Sequence, residues 1–205
     1  MAAERSESDR AAWRELKGHL PINDLLFIDE CGSTIALTAL YARAPRGQRA
    51  YGVVPRNWGK NTMLIAGLTL EGVQALFILE GAVDTLAFET YVEQVLAPSL
   101  RPGQVVVLDN LSVHKGERVR QMIEARGCQV LFLPAYSPDL TPIEEAFSKL
   151  KTWLRRLAAR TREALEEAIA QALEQITVQD AHGWFWHCGY LSQKPGKERA
   201  DAVPA

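Results

Sequence analysis

Leu25-Leu26-Phe27-Ile28-Asp29-Glu30 places four apolar residues directly in front of an acid. In an extended chain Phe27 and Asp29 share one face, and Ile28 and Glu30 share the other. An apolar run this short reads as a buried strand. A second run, Val105-Val106-Val107-Leu108, ends the same way at Asp109. A third acid, Glu144, closes Ser137-Pro138-Asp139-Leu140-Thr141-Pro142-Ile143-Glu144, with 34 residues between Asp109 and Glu144. Acids at strand ends are poor core material and good ligands for a divalent cation. Two strand-end acids and a third on a following helix form a usual frame for two-metal phosphoryl transfer.

The rest of the chain supports an α/β layer around these strands. Thr34 to Tyr41 suits a short strand, and Ala44 to Gln48 a turn. Thr62 to Leu70 and Val73 to Leu79 are apolar runs joined by Glu71-Gly72, a hairpin signal. Asp84 suits the N-cap of a helix reaching about Ala97. Lys115 to Arg126 has helical spacing and is closed by Gly127. Gln129 to Leu133 is a further strand. Thr141 caps a helix running to about Arg160, with Pro142 at its first position, and a second helix runs from Arg162 to about Ile176. Three early strands followed by alternating helix and strand imply a mixed sheet.

At 205 residues the chain suits one domain with a sizeable core. Net charge is −2, with 47% hydrophobic and 23% charged residues, ordinary for a soluble protein. No apolar run approaches the ~20 residues of a membrane span, so a cytoplasmic protein without a membrane partner is expected. Cys31, Cys128 and Cys188 are few, odd in number and scattered, which suits a reducing compartment. Charge is segregated. Tyr41 to Lys60 carries Arg43, Arg46, Arg49, Arg56 and Lys60 without an acid. Lys149 to Arg162 carries Lys149, Lys151, Arg155, Arg156, Arg160 and Arg162, again without one. Either block alone reads as a solvated face. Flanking a metal site, they suit phosphate contact.

The acid spacing and the wording SPDLTPIE resemble the DDE transposases of the Tc/mariner superfamily, most of all the bacterial IS six-thirty branch. The resemblance spans about Leu25 to Tyr190. It implies an RNase H-like fold: a mixed five-stranded sheet flanked by helices, with a C-terminal helical and aromatic extension. The two Asp-bearing strands would lie side by side with both acids at their carboxyl ends. It further implies that Asp29, Asp109 and Glu144 are the catalytic metal ligands. They would hold Mg²⁺, with Mn²⁺ as substitute and two ions in all, for cleavage of transposon ends and strand transfer into target DNA at TA. Asp109-Asn110, followed by His114-Lys115, matches the family, and both His114 and Lys115 are candidates for DNA phosphate. Arg46, in the basic loop, and Lys151, Arg155 and Arg156 are the other DNA-contact candidates.

Simpler roles stand beside these. Asp29 and Asp109 can each bond a turn amide, Glu144 can close a capping box with Thr141, and Asp139 can bond loop amides. Glu145 lies about 100° round the helix from Glu144. His182, His187 and Cys188 lack a fourth ligand spaced for zinc, so packing of an aromatic segment is expected there.

The resulting division is a tail or linker stub over 1–20, the catalytic domain over 21–160, a packed helix and aromatic segment over 161–192, and a disordered tail over 193–205. Relatives carry an N-terminal helix-turn-helix region that reads the transposon ends. The first strand here begins by residue 25, so that reader is expected in a separate upstream segment or frame. Two ends require at least a homodimer on DNA, and the bound protein would be nucleoid-associated. The alternative is a catalytically silent, transposase-derived DNA-binding or dimerisation module. A stand-alone structure-selective nuclease fits the acids but not the SPDLTPIE wording.

Overall fold

A computed structural model describes residues 5–193. In chain order the elements are α1 (Glu7–Lys17), β1 (Leu25–Ser33), β2 (Thr62–Thr69), β3 (Gly72–Glu80), α2 (Thr85–Tyr91) and α3 (Ala97–Ser99). Then follow β4 (Val105–Leu108), α4 (Glu117–Glu124), β5 (Gln129–Phe132), α5 (Ile143–Leu157), α6 (Arg162–Leu173) and α7 (Val178–His187). The strands form one five-stranded sheet in the order β3-β2-β1-β4-β5. β1–β2 and β2–β3 are antiparallel, while β1–β4 and β4–β5 are parallel. This is the mixed sheet flanked by helices expected of an RNase H-like fold.

The strand period of two sorts the core into two layers. Leu25, Phe27, Cys31, Leu64, Val105 and Val107 face α5, α6 and α7, where they meet Ile143, Leu150, Ile169 and Phe185. Leu26, Ile28, Ile65, Val106 and Leu108 face the opposite layer, built from Phe88, Tyr91, Val92, Leu96, Val119 and Ile123. Both faces of β1 and β4 are thus covered, which is why these strands read as unbroken apolar runs. Gly67 in β2 packs so close to β1 that a Cβ would lie 2.7 Å from Leu26 Cδ1 and 2.8 Å from Ile28 Cδ1.

Local signals account for most helix ends. The Asp84 side chain accepts from the Ala87 amide at the start of α2. That helix continues through a π turn, Val92–Leu96, into α3, so Pro98 lies within the last turn instead of ending it. Gly127 (φ +72°) closes the chain after α4. Thr161 caps α6, and Thr177 with Asp180 forms a capping box at α7.

Four expectations are corrected. Residues 1–20 are not a tail through their whole length. Glu7–Lys17 is helical, capped by Ser6, and buries Arg10 and Trp13. Trp13 donates to the Tyr190 hydroxyl at 3.0 Å, and Lys17 Nζ donates to the Cys188 carbonyl at 2.7 Å. Thr34 to Tyr41 forms no strand: β1 ends at Ser33, the chain turns, and Ile35 and Leu37 pack against the core before the segment becomes exposed from Ala39. The Thr141–Glu144 capping box does not form. A 3₁₀ turn, Pro138–Leu140, precedes α5, Pro142 takes the cap position, and no side chain caps that end. Asp29 is not at a strand end either, since β1 continues to Ser33 against β2. Its pairing with β4, however, stops at Phe27–Val107. Asp29 and Asp109 therefore both lie just past the end of the parallel pair. The C-terminal tail expectation lies outside the described residues beyond position 193.

Candidate active site

β1 and β4 keep one register through Leu25–Val105, Leu26–Val106 and Phe27–Val107. Continued two residues, that register brings Asp29 level with Asp109. The N-terminal turn of α5 contributes Glu144. All three acids line one cleft of about 380 Å³, walled by Leu111, Pro134, Tyr136 and Pro138. An open α/β sheet has its crevice at this position, past the carboxyl ends of parallel strands.

Electrostatics tie the acids together. Burial pushes the Asp29 carboxyl up to about 8. The Glu30 amide opposes this by donating to Asp29 Oδ1 at 2.8 Å, while the charges of Glu30, Glu144 and Asp109 add to it. Such a group ionises readily only when a positive charge joins it. The donor set consists of hard carboxylate oxygens, which fits Mg²⁺ or Mn²⁺. Among the described residues no three His, Cys, Asp or Glu groups are arranged so as to hold an ion. Like charges repel, so closing the set requires the cation itself. Glu144 is exposed and makes no hydrogen bond among the described residues, leaving its carboxylate available.

The neighbouring acids have other partners. Glu145 pairs with His187 Nδ1 and faces a separate cleft with Lys149, Trp153 and Asp180. Asp139 is gripped by the Arg10 guanidinium at 2.9 and 2.6 Å. That hydrogen bonding holds its carboxyl below the usual range. Arg10 is a contact the sequence reading missed, although Arg10, Trp13 and Lys17 already lie on one helical stripe.

His114 is corrected as a phosphate contact. It is buried, with 1% exposure. Its Nδ1 is 2.5 Å from Asp109 Oδ1 and its Nε2 is 2.7 Å from Glu30 Oε1. Burial would lower its pKa, but the bonds to Asp109 and Glu30 outweigh this and hold it up at about 9. Glu30 was missed as well. Its only sequence signal is an acid on the face of β1 that otherwise enters the core.

The remaining DNA candidates are distributed unevenly. Lys115 is exposed beside the ring of Phe132. Arg156 is exposed over Trp153, while Lys151 and Arg155 are half-buried along α5. Lys151 follows Glu144 by seven residues, so it lies on the same stripe of the helix. Arg46 lies in the exposed segment between β1 and β2, outside the cleft lining.

An RNase H-like sheet with carboxylates just past its parallel strand ends is a frame shared by nucleases and phosphoryl transferases. Residues 24–166 match the family described as DDE superfamily endonuclease, and the chain belongs to that family. Comparison with curated protein sequences finds no match. Among solved structures, the mariner Mos1 paired-end complex with Mg is similar at 20% identity and TM-score 0.67. That match covers 92% of this chain and 61% of the other. The Mos1 transposase paired-end complex with left transposon end is similar at 19% identity and TM-score 0.67, covering 87% and 56%. The Mos1 catalytic domain with raltegravir and Mg is similar at 17% identity and TM-score 0.65, covering 92% and 93%. The chain therefore spans little more than half the length of the transposases in the paired-end complexes. At these identities the likeness establishes the fold.

Proposed function

We propose that this chain is the catalytic domain of a DNA transposase of the Tc/mariner superfamily, in its bacterial IS six-thirty branch. The observation that carries the reading is the meeting of Asp29, Asp109 and Glu144 on one cleft. They would hold Mg²⁺, or Mn²⁺ in its place, as two ions. Bound divalent cations supply Lewis-acid stabilisation of a transferring phosphoryl group and a reactive oxygen at neutral pH. The chain's own residues position the strand between the Leu111 side and the Pro134–Pro138 wall. Lys115, Lys151, Arg155, Arg156 and Arg46 would neutralise the DNA phosphates. The similarity of the fold to transposases solved with transposon ends supports DNA as substrate.

The body comprises 21–160 with 161–192 packed on it, and 1–20 joins through α1. An upstream helix-turn-helix segment or frame would read the ends, a homodimer would pair them, and insertion would fall at TA. The protein would act in the bacterial cytoplasm at the nucleoid.

That no three such groups among the described residues are arranged to hold an ion favours a second reading, a catalytically silent DNA-binding or dimerisation module. Nicking of supercoiled plasmid separates the two. The parent chain with millimolar Mn²⁺ should nick, and Asp109→Asn should not. Equal, background-level nicking by both would leave the silent module standing.

A further inference from the structure

Asp109 is held on one oxygen only. Its Oδ1 accepts the Leu111 amide at 2.9 Å and lies 2.5 Å from His114 Nδ1. Its Oδ2 has no hydrogen bond among the described residues. The imidazole that fixes Oδ1 is itself fixed from three sides. Its Nε2 is tied to Glu30 Oε1 at 2.7 Å, and its ring lies 4.2 Å from the ring of Phe88. The 3₁₀ turn Ser112–His114 sets its backbone. Glu30 is the anchor of this chain of bonds. Its carboxyl is 10% exposed and projects from the face of β1 opposite Asp29. The linkage Glu30–His114–Asp109 therefore runs through the core and arrives at the cleft from behind.

A carboxylate that must bind a cation gains from this arrangement. Locking one oxygen removes rotation about the Cβ–Cγ bond and aims the other oxygen. We propose that His114, anchored by Glu30, is a positioning residue that presents Asp109 Oδ2 to the cation in the cleft. The inference rests on the metal-site reading above. It excludes His114 from DNA contact and gives the half-buried Glu30 a role. Neither residue touches substrate.

The two ring nitrogens can be separated by substitution. The Asn amide reaches the place of Nδ1, and the Gln amide reaches the place of Nε2. His114→Asn thus keeps a donor to Asp109, whereas His114→Gln keeps only the Glu30 contact. The measurement is the melting temperature of the chain titrated with Mn²⁺ alone. Loss of such an orienting partner costs about 10–100-fold in metal affinity. His114→Asn, which keeps the donor but loses the Glu30 anchor, should raise the Mn²⁺ midpoint less than His114→Gln, which should raise it about tenfold or more. Glu30→Ala, which frees the imidazole without touching Asp109, should raise the midpoint in the same direction. It carries the test if a histidine variant fails to fold.

A merely structural role would lower the metal-free melting temperature of both histidine variants and leave their midpoints alike. Equal midpoints for Asn and Gln, or an unmoved midpoint in Glu30→Ala, would overturn the inference while leaving the metal site intact. A parent chain indifferent to Mn²⁺ would overturn the metal-site reading itself, and this inference with it.

Discussion

Replacing Asp29 with Asn should make the metal-free protein more stable at pH 8.5. The carboxyl moves from an ordinary 3.8 up to about 8 in the folded chain, chiefly through burial. A group that binds its proton more tightly when folded makes stability fall as pH rises. The fall begins near the unfolded value of about 4 and is complete above about 8. At 1.36 kcal/mol per unit, the full shift corresponds to an upper bound of roughly 6 kcal/mol. Water in the cleft and movement of Glu144 and Asp109 reduce what one substitution recovers, to about 1–2 kcal/mol. For a domain of this length that is about 2–8 °C in melting temperature. Asn retains an oxygen to accept the Glu30 amide, so the local hydrogen bond survives. The assay is thermal unfolding from pH 5 to 8.5 in chelator, repeated with Mn²⁺. The variant should lead at high pH, the gap should narrow on acidification, and only the parent should gain from the metal. A variant that melts below the parent at pH 8.5, or gains equally from Mn²⁺, would refute the reasoning.

Two further outcomes are expected. Glu144→Gln should abolish nicking while preserving DNA binding, and Glu145→Gln, which only loosens the link to His187, should keep most activity. The reverse pattern in the plasmid assay would mean that the other face of α5 carries the third acid. Neutralising Lys151, Arg155 and Arg156 together should flatten the dependence of DNA affinity on salt by up to about three units of slope, near 0.9 per phosphate contact. An unchanged slope in a binding titration would reduce this block to a solvated surface.

The central strands were readable because both of their faces are buried, which leaves apolar runs broken only by the acids. The acids themselves were readable by contrast, since Asp29 and Asp109 interrupt sequence that would otherwise continue the core. Glu30 and His114 were not, because their bond joins residues 84 positions apart and nothing local marks it. The family wording even directed His114 outward to DNA, when the fold turns it inward against Phe88. The capping box failed for a local reason: a proline at the cap and a 3₁₀ turn before it leave Thr141 without the required geometry. The first helix carried its signals in Ser6 and the Arg10, Trp13, Lys17 stripe. What covers that stripe comes from residues 139 to 190, beyond the reach of any short window.

That last packing also governs how the molecule must be made. Trp13 meets Tyr190 across 177 positions, and Arg10 meets Asp139 across 129. At about 5–20 residues per second, roughly 10–35 s of synthesis separate Trp13 from its partner. Until Tyr190 is made the Trp13 indole lacks its hydrogen-bond partner, while the Arg10 guanidinium gains Asp139 earlier. All five strands of the sheet are made meanwhile, since the last of them, β5, ends at Phe132. The helix seals the body only when α7 and the turn to Tyr190 have left the ribosome. Of the contacts that hold α1, the one to Tyr190 therefore joins the residues most distant in the chain, and it is the last that synthesis makes available.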